Sequence, residues 1–337
     1  MSKKISLIAK GLAILGVVLY HLQYDLVSLN YLIARNEGLS YFSRIFNVIS
    51  QDLINIVPFL MYLCLSSVSV FFILSGFGLM KKYSVEKLTL KKWAKQIWKI
   101  LLPYFIAIPV TFLINYFLQW IWTLNGINES MPKPFDIYQP MQYLESFLVF
   151  TRWFDDRLAL NFVGTWWFVG IILQFYLLFP LLFMLFKKIG SKKFLILSLV
   201  ITVLYRLVVV YTTDDSPVGI QNANLLMFIN FPARLAEFAL GMYFATCEKY
   251  LGNLRSLILG IISLIIGFIV MTFNWGLAIN EILIGFGAFQ IITCFAKLIF
   301  KLKIPIIDKV GKYSYHIYLF HEPALKMIAK LVYPYIG

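Results

Sequence analysis

Val57-Pro-Phe-Leu-Met-Tyr-Leu-Cys-Leu-Ser-Ser-Val-Ser-Val-Phe-Phe-Ile-Leu-Ser-Gly-Phe-Gly-Leu-Met80, followed at once by Lys81-Lys82, decides the fold. The run carries no charge and exceeds the ~20 residues that a helix needs to cross a hydrocarbon core. Eight further runs share its character: residues 5–22, 100–124, 166–186, 194–211, 225–245, 257–273, 277–300 and 315–333. All are long and apolar all round, which favours helices over the alternating strands of ~10 residues that build membrane barrels. The whole chain agrees. Its 337 residues are 61% hydrophobic and 14% charged, with mean hydropathy +0.80, against roughly 45–50% and 25% for water-soluble domains. The expectation is an all-α, polytopic transmembrane helix bundle of about nine or ten spans, the tenth falling around residues 143–150. Residues 1–337 read as a single integral-membrane domain with no attached soluble domain. The first run reads as a retained helix, because Lys10 interrupts it and no small-x-small cleavage site follows.

Charge sets the expected orientation. Placing Met1 in the cytoplasm puts 21 of the 30 cations in inner segments with three acids, Glu86, Glu248 and Asp308. The outer segments then hold five cations and eleven acids. This is the positive-inside pattern, so the net charge of +14 needs no nucleic acid to explain it. The reading is a multi-pass protein of the cell (plasma) membrane with its N-terminus cytoplasmic. Cys64, Cys247 and Cys294 show no metal-ligand or disulfide spacing, and no metal is expected.

Ionisable groups inside spans are costly and mark sites or pathways. His21 lies eleven residues after Lys10, about three helical turns, so the two share a face ~16 Å apart along the axis. A neutral imidazole there can take a proton from a hydroxyl; it can equally cap the span at headgroup level, with Lys10 as an anchor. Arg234 and Glu237 share a face as an intrahelical pair, and Arg206 has no local partner in sequence. His316 reads as interfacial, whereas His321, followed by Glu322-Pro323, lies deeper. Residues 81–99 hold seven lysines, with Lys91/Lys95 and Lys95/Lys99 at i,i+4. Their mutual repulsion calls for anionic membrane lipids or a polyanionic ligand. These features alone leave an enzyme, a transporter or flippase of lipid-linked saccharide, and a non-catalytic membrane scaffold or sensor all open.

Five runs, in order, resemble the acyltransferase-3 family of bacterial multi-span membrane enzymes: Gly11-Leu-Ala-Ile-Leu-Gly-Val-Val-Leu-Tyr-His21; Val70-Phe-Phe-Ile-Leu-Ser-Gly-Phe-Gly-Leu79; Trp167 through Gln174-Phe-Tyr-Leu-Leu-Phe-Pro180; Arg234-Leu-Ala-Glu-Phe-Ala-Leu-Gly-Met242; and Tyr313-Ser-Tyr-His-Ile-Tyr-Leu-Phe-His321. Together they cover essentially the whole chain. The pattern departs from the family where Lys10 and Lys92-Trp-Ala-Lys95 stand in place of arginines, and where Ile172 and Leu173 replace a Glu pair.

The resemblance implies an O-acetyltransferase that moves an acetyl group from cytoplasmic acetyl-CoA, its co-substrate, to a hydroxyl of a cell-surface glycan. The acceptor would be an exopolysaccharide or capsule unit, lipid-linked or free. It implies His21 as the catalytic residue, as general base or acyl carrier. Lys10, Lys92, Lys95 and Lys99 would bind the donor phosphates, and Trp167 and His321 would line the site. Ser75-Gly76 would serve close helix packing rather than supply a nucleophile.

Overall fold

A computed structural model of the chain describes residues 1–27, 40–124, 164–212 and 230–336. Among these residues the regular structure is helical, with no strand. In chain order the helices are α1 (Lys3–Val27), α2 (Ser40–Gln51), α3 (Ile56–Leu63), α4 (Ser67–Val85), α5 (Leu90–Leu124), α6 (Trp167–Ile189), α7 (Ser191–Thr212), α8 (Leu235–Thr246), α9 (Leu254–Val270), α10 (Asn280–Lys301), α11 (Ile306–Lys312) and α12 (Ser314–Ile336).

Among the described residues, six stretches are long and apolar enough to cross a membrane: Lys3–Leu22, Ile56–Val85, Leu90–Ile114, Trp167–Ile189, Ser191–Thr212 and Asn280–Lys301. Five coincide closely with an expected run, and Leu90–Ile114 overlaps the expected run 100–124 but is displaced by ten residues. The other three expected spans differ in detail. Within the described part of 225–245, α8 begins at Leu235, after a tight 3-10 turn over Phe231–Arg234 with Pro232 as its second residue. Proline lacks the N–H that an interior turn would need, so it sits at the start. α9 has 17 residues and is fixed at its start by a capping box between Asn253 and Ser256. α12 reaches 23 residues but includes His316, His321, Glu322, Lys326 and Lys330, which dilute its apolarity. Residues 143–150 lie outside the described residues.

α5 starts ten residues before the expected span at residue 100. It runs for 35 residues through Pro103 and Pro109, about 52 Å at 1.5 Å per residue. That exceeds a hydrocarbon core of ~30 Å, so the Lys91–Lys99 turns extend beyond the apolar layer as helix.

Contacts gather several basic segments at one end of the bundle. Lys81 and the Met1 ammonium both pair with Glu248. Lys4 reaches Asp308 at 3.8 Å and lies over the Phe300 ring. Lys297 donates to the Leu251 carbonyl at 2.7 Å. His316 is exposed near this end, as expected of an interfacial residue.

Glycine sets the helix spacing at two contacts. A Cβ on Gly241 would stand 1.9 Å from the Ile73 carbonyl oxygen, and one on Gly76 2.1 Å from that of Phe238, so α4 and α8 touch backbone to backbone. This is the close packing expected of Ser75-Gly76. Gly11 of α1 and Gly311 of α11 make the same kind of contact, the Gly311 Cβ position lying 1.7 Å from the Leu7 carbonyl oxygen. Gly241→Val is expected to separate α4 from α8 and lower the thermal midpoint in detergent by several degrees, whereas Gly78→Val, at an open position, leaves it within about a degree; overpacking a tight contact typically costs about 1–3 kcal/mol.

The core is aromatic. Phe175 stacks on Phe238 with centroids 4.5 Å apart, and Phe72 meets both Phe168 and Phe175. α4, α6 and α8 therefore share one apolar seam, and the site is built against its flank.

Candidate active site

The last helix carries one polar face toward the interior. Ser314, Tyr318 and His321 are spaced four and three apart, so they stack on one side of α12, and all three are buried. The His321 Nδ1 lies 2.6 Å from the Tyr318 carbonyl oxygen. A carbonyl only accepts, so in the neutral ring Nδ1 holds the proton and Nε2 presents a lone pair. Among the described residues nothing hydrogen-bonds that buried Nε2. The His321 ring stands 5.0 Å from the ring of His21, between centroids, and Tyr20 packs edge-on against His21 at 5.2 Å. Two histidines 300 residues apart in sequence thus meet between α1 and α12, their ring planes tilted by 58°.

The short turn Gly164–Trp166 pins this part of α12. Trp166 is fully buried, donates from its indole to the Leu319 carbonyl at 2.9 Å and packs edge-on against Tyr104. The Thr165 amide donates to Glu322 at 2.9 Å, and the Tyr318 hydroxyl donates to the Thr165 carbonyl. Tyr315 adds a bond to the Ile100 carbonyl of α5 at 2.8 Å. Each bond is a buried polar group satisfied across a helix interface, and together they fix the His321 rotation.

Beneath the histidines is a partly open cavity of about 190 Å³ between α1, α4, α5, α6 and α12. Lys10, Gln96 and Lys99 supply its polar wall on the lysine-rich side, with Ser75 and Ser314; Tyr318 is also in its lining. The Tyr318 ring lies 5.7 Å from that of His321. By helix rise, His21 is ~16 Å and His321 ~10 Å farther along the bundle than Lys10 and Ser314, respectively.

The expected site residues therefore fall into two groups. Lys10 and Lys99 share one cavity, and His21 and His321 meet just beyond it. Lys92 instead hydrogen-bonds Glu86 at 2.9 Å on the surface, and this bond holds the Glu86 carboxyl below its ordinary range. Lys95 is exposed and outside the cavity lining. Trp167 is half-buried against Phe168; the enclosed indole is its neighbour Trp166. Ile172, where the family's Glu pair begins, is an apolar wall of the cavity.

A second polar group lies apart from the cavity. Arg234 bonds Glu237 at 2.8 Å, the expected intrahelical pair, and also Glu281 of α10 at 2.7 Å and Ser69 of α4. Arg206 donates to Asn280 at 3.1 Å. Glu281, counted by sequence among the outer acids, is instead buried as the counter-charge of Arg234. Two cations and two anions balance with no net charge, as buried ions must.

Membrane-length helices around a partly open cavity, with cationic side chains at one end and two neighbouring histidines toward the other, define a multi-span membrane protein with a candidate site. The chain belongs to the acyltransferase-3 family: residues 8–337, essentially all of it, match the family model, whose description is an acyltransferase domain. It is accordingly a membrane acyltransferase. No curated protein and no solved structure matches the chain.

Proposed function

We propose that this acyltransferase moves an acetyl group from cytoplasmic acetyl-CoA to a hydroxyl of a cell-surface glycan, an exopolysaccharide or capsule unit. The observation that carries the reading is the cavity with Lys10 and Lys99 in its wall and His21 and His321 beyond it. A volume of about 190 Å³ is below the roughly 300–1,000 Å³ of sites that swallow a drug-sized ligand. Only the narrow thioester arm of the donor would enter. Its nucleotide would stay at the lysine-rich end, where Lys10 and Lys99 offer charge-assisted hydrogen bonds to phosphate. That end is the cytoplasmic one in this reading, because basic segments remain inside.

His21 acts as general base. It takes the proton of the acceptor hydroxyl while that oxygen attacks the thioester carbonyl. A C–O bond forms, the C–S bond breaks, and the departing CoA thiolate recovers the proton from the imidazolium. His321, whose ring stands 5.0 Å from that of His21 between centroids, steadies that imidazolium once its Nε2, unpartnered among the described residues, turns to it. Lys10 and Lys99 bind donor, so Lys99→Ala is expected to raise the KM for acetyl-CoA roughly tenfold or more with little change in kcat, the loss of one bond to a charged partner. Lys92→Ala, removing a cation already paired with Glu86 outside the cavity, leaves KM within about twofold; steady-state kinetics on purified variants checks both.

The reading as a whole is tested by incubating membranes with radiolabelled acetyl-CoA, with and without expression of the chain. Label entering surface glycan only when the chain is present supports it. Transport of lipid-linked saccharide without label, or label independent of the chain, overturns it.

A further inference from the structure

We infer that a second pocket, at the lysine-rich end between α7, α8, α9 and α10, binds an anionic phospholipid whose headgroup carries a free hydroxyl, a phosphatidylglycerol. The pocket is a groove of about 700 Å³, separate from the cavity described above. Its inner walls are apolar, formed by Leu195, Leu240, Phe244 and Phe286, while the exposed Leu259 continues that surface outward along α9. Such a wall suits an acyl chain. At its mouth Lys249 and Arg255 are both exposed, and the Lys249 ammonium lies over the Tyr250 ring at 5.0 Å. Two cations at headgroup level favour an anionic lipid over a zwitterionic one.

The hydroxyl requirement comes from Gln290. Its side chain is 2% exposed and lines the groove. The amide nitrogen donates to the Tyr250 carbonyl at 3.2 Å, which fixes the amide orientation and leaves Oε1 without a hydrogen-bond partner among the described residues. A buried acceptor left unmet costs the desolvation of that group, and only a donor satisfies it. An ammonium headgroup would meet repulsion from Lys249 and Arg255, so the matching donor is a hydroxyl on an anionic headgroup. A glycerol headgroup has both the charge and the donor.

The test uses the purified full chain in detergent, with retention of radiolabelled lipid measured in competition. The probes are dioleoylphosphatidylglycerol, dioleoylphosphatidylmethanol of equal charge but no hydroxyl, dioleoylphosphatidylcholine, and free glycerol 3-phosphate. Wild type is expected to prefer phosphatidylglycerol over phosphatidylcholine roughly thirtyfold, the effect of two headgroup-level cations, and over phosphatidylmethanol about fivefold, one hydrogen bond. Lys249→Ala with Arg255→Ala, both at exposed positions, removes the first preference. Gln290→Leu removes only the second. Equal binding of phosphatidylglycerol and phosphatidylcholine by wild type, or a preference that survives the double substitution, overturns the site. Equal binding of phosphatidylglycerol and phosphatidylmethanol overturns the role of Gln290, and competition by glycerol 3-phosphate as strong as by the lipid overturns the acyl-chain wall. None of these outcomes depends on the acyl-transfer reaction.

Discussion

His21→Ala is expected to lower acetyl transfer by about 10²–10⁴-fold, the usual contribution of a positioned general base, while leaving acetyl-CoA affinity near the wild-type value. The donor contacts assigned to Lys10 and Lys99 lie about three helical turns away on the same bundle axis, so loss of the imidazole removes chemistry and not binding. His321→Ala should lower kcat by a smaller factor, because its Nε2 acts on His21 and not on the acceptor. It should also move the pH profile of kcat, a change that mere loosening of α12 would not produce. His321→Gln places an amide in the same volume without a titrating group and is expected to keep the fold but not the pH profile. Initial rates at saturating acetyl-CoA, measured from low to high pH, separate the two roles. Unchanged rates in His21→Ala would refute the assignment.

The second large effect is on stability. Arg234→Met leaves Glu237 and Glu281 buried without their shared cation and is expected to cost about 3–5 kcal/mol. In practice little folded protein survives extraction into detergent. Adding Glu237→Leu and Glu281→Leu to Arg234→Met removes the stranded anions, although Arg206 then lacks Glu281 as a near counter-charge. The triple variant should recover a sizeable part of the loss, since well-packed apolar replacements of buried ions are often near neutral. Size-exclusion profiles and thermal midpoints of the two variants check this. A stable Arg234→Met protein would mean that the cluster is not a clamp between α4, α8 and α10.

Much of this architecture is legible in the sequence because membrane helices are written as composition. The six stretches that qualify as spans among the described residues each overlap a run chosen by length and apolarity alone, Leu90–Ile114 with a ten-residue offset. The same-face relation of Lys10 and His21 also follows from helical period, as does the Ser314, Tyr318, His321 stripe. What period cannot supply is the neighbour. His21 and His321 meet across α1 and α12, and Glu281 finds Arg234 at a separation of 47 residues. A lone acid opening an apolar run looks like a boundary residue until its partner is known. Trp166 and Trp167 illustrate the same limit: adjacent positions on a helix point ~100° apart, and in a segment apolar on every side nothing local tells which indole is enclosed. Pro232 is legible in the sequence as a break in a regular helix, yet the expected span 225–245 runs through it; it lies in the 3-10 turn that leads into α8.

The lysine cluster shows how position around one helix sorts equivalent residues. Lys92, Lys95 and Lys99 have the same chemistry and the same spacing logic, yet of the three only Lys99 lines the cavity, next to Ile100, whereas Lys92 is occupied by Glu86. Of the four lysines expected to bind donor, Lys10 and Lys99 line the cavity, and the proposed donor site uses those two.

The central claim is that the cavity between α1, α4, α5, α6 and α12 holds the acyl donor and directs it toward the two histidines. The most direct measurement is photocrosslinking of the purified full chain with a CoA thioester bearing a photoreactive acyl group, followed by peptide mapping. The account predicts labelling of residues in the Ser75, Tyr318 and His21 regions, competed by acetyl-CoA and weakened by Lys99→Ala. Competable labelling confined to the groove beside Gln290, or to residues outside both, would contradict it.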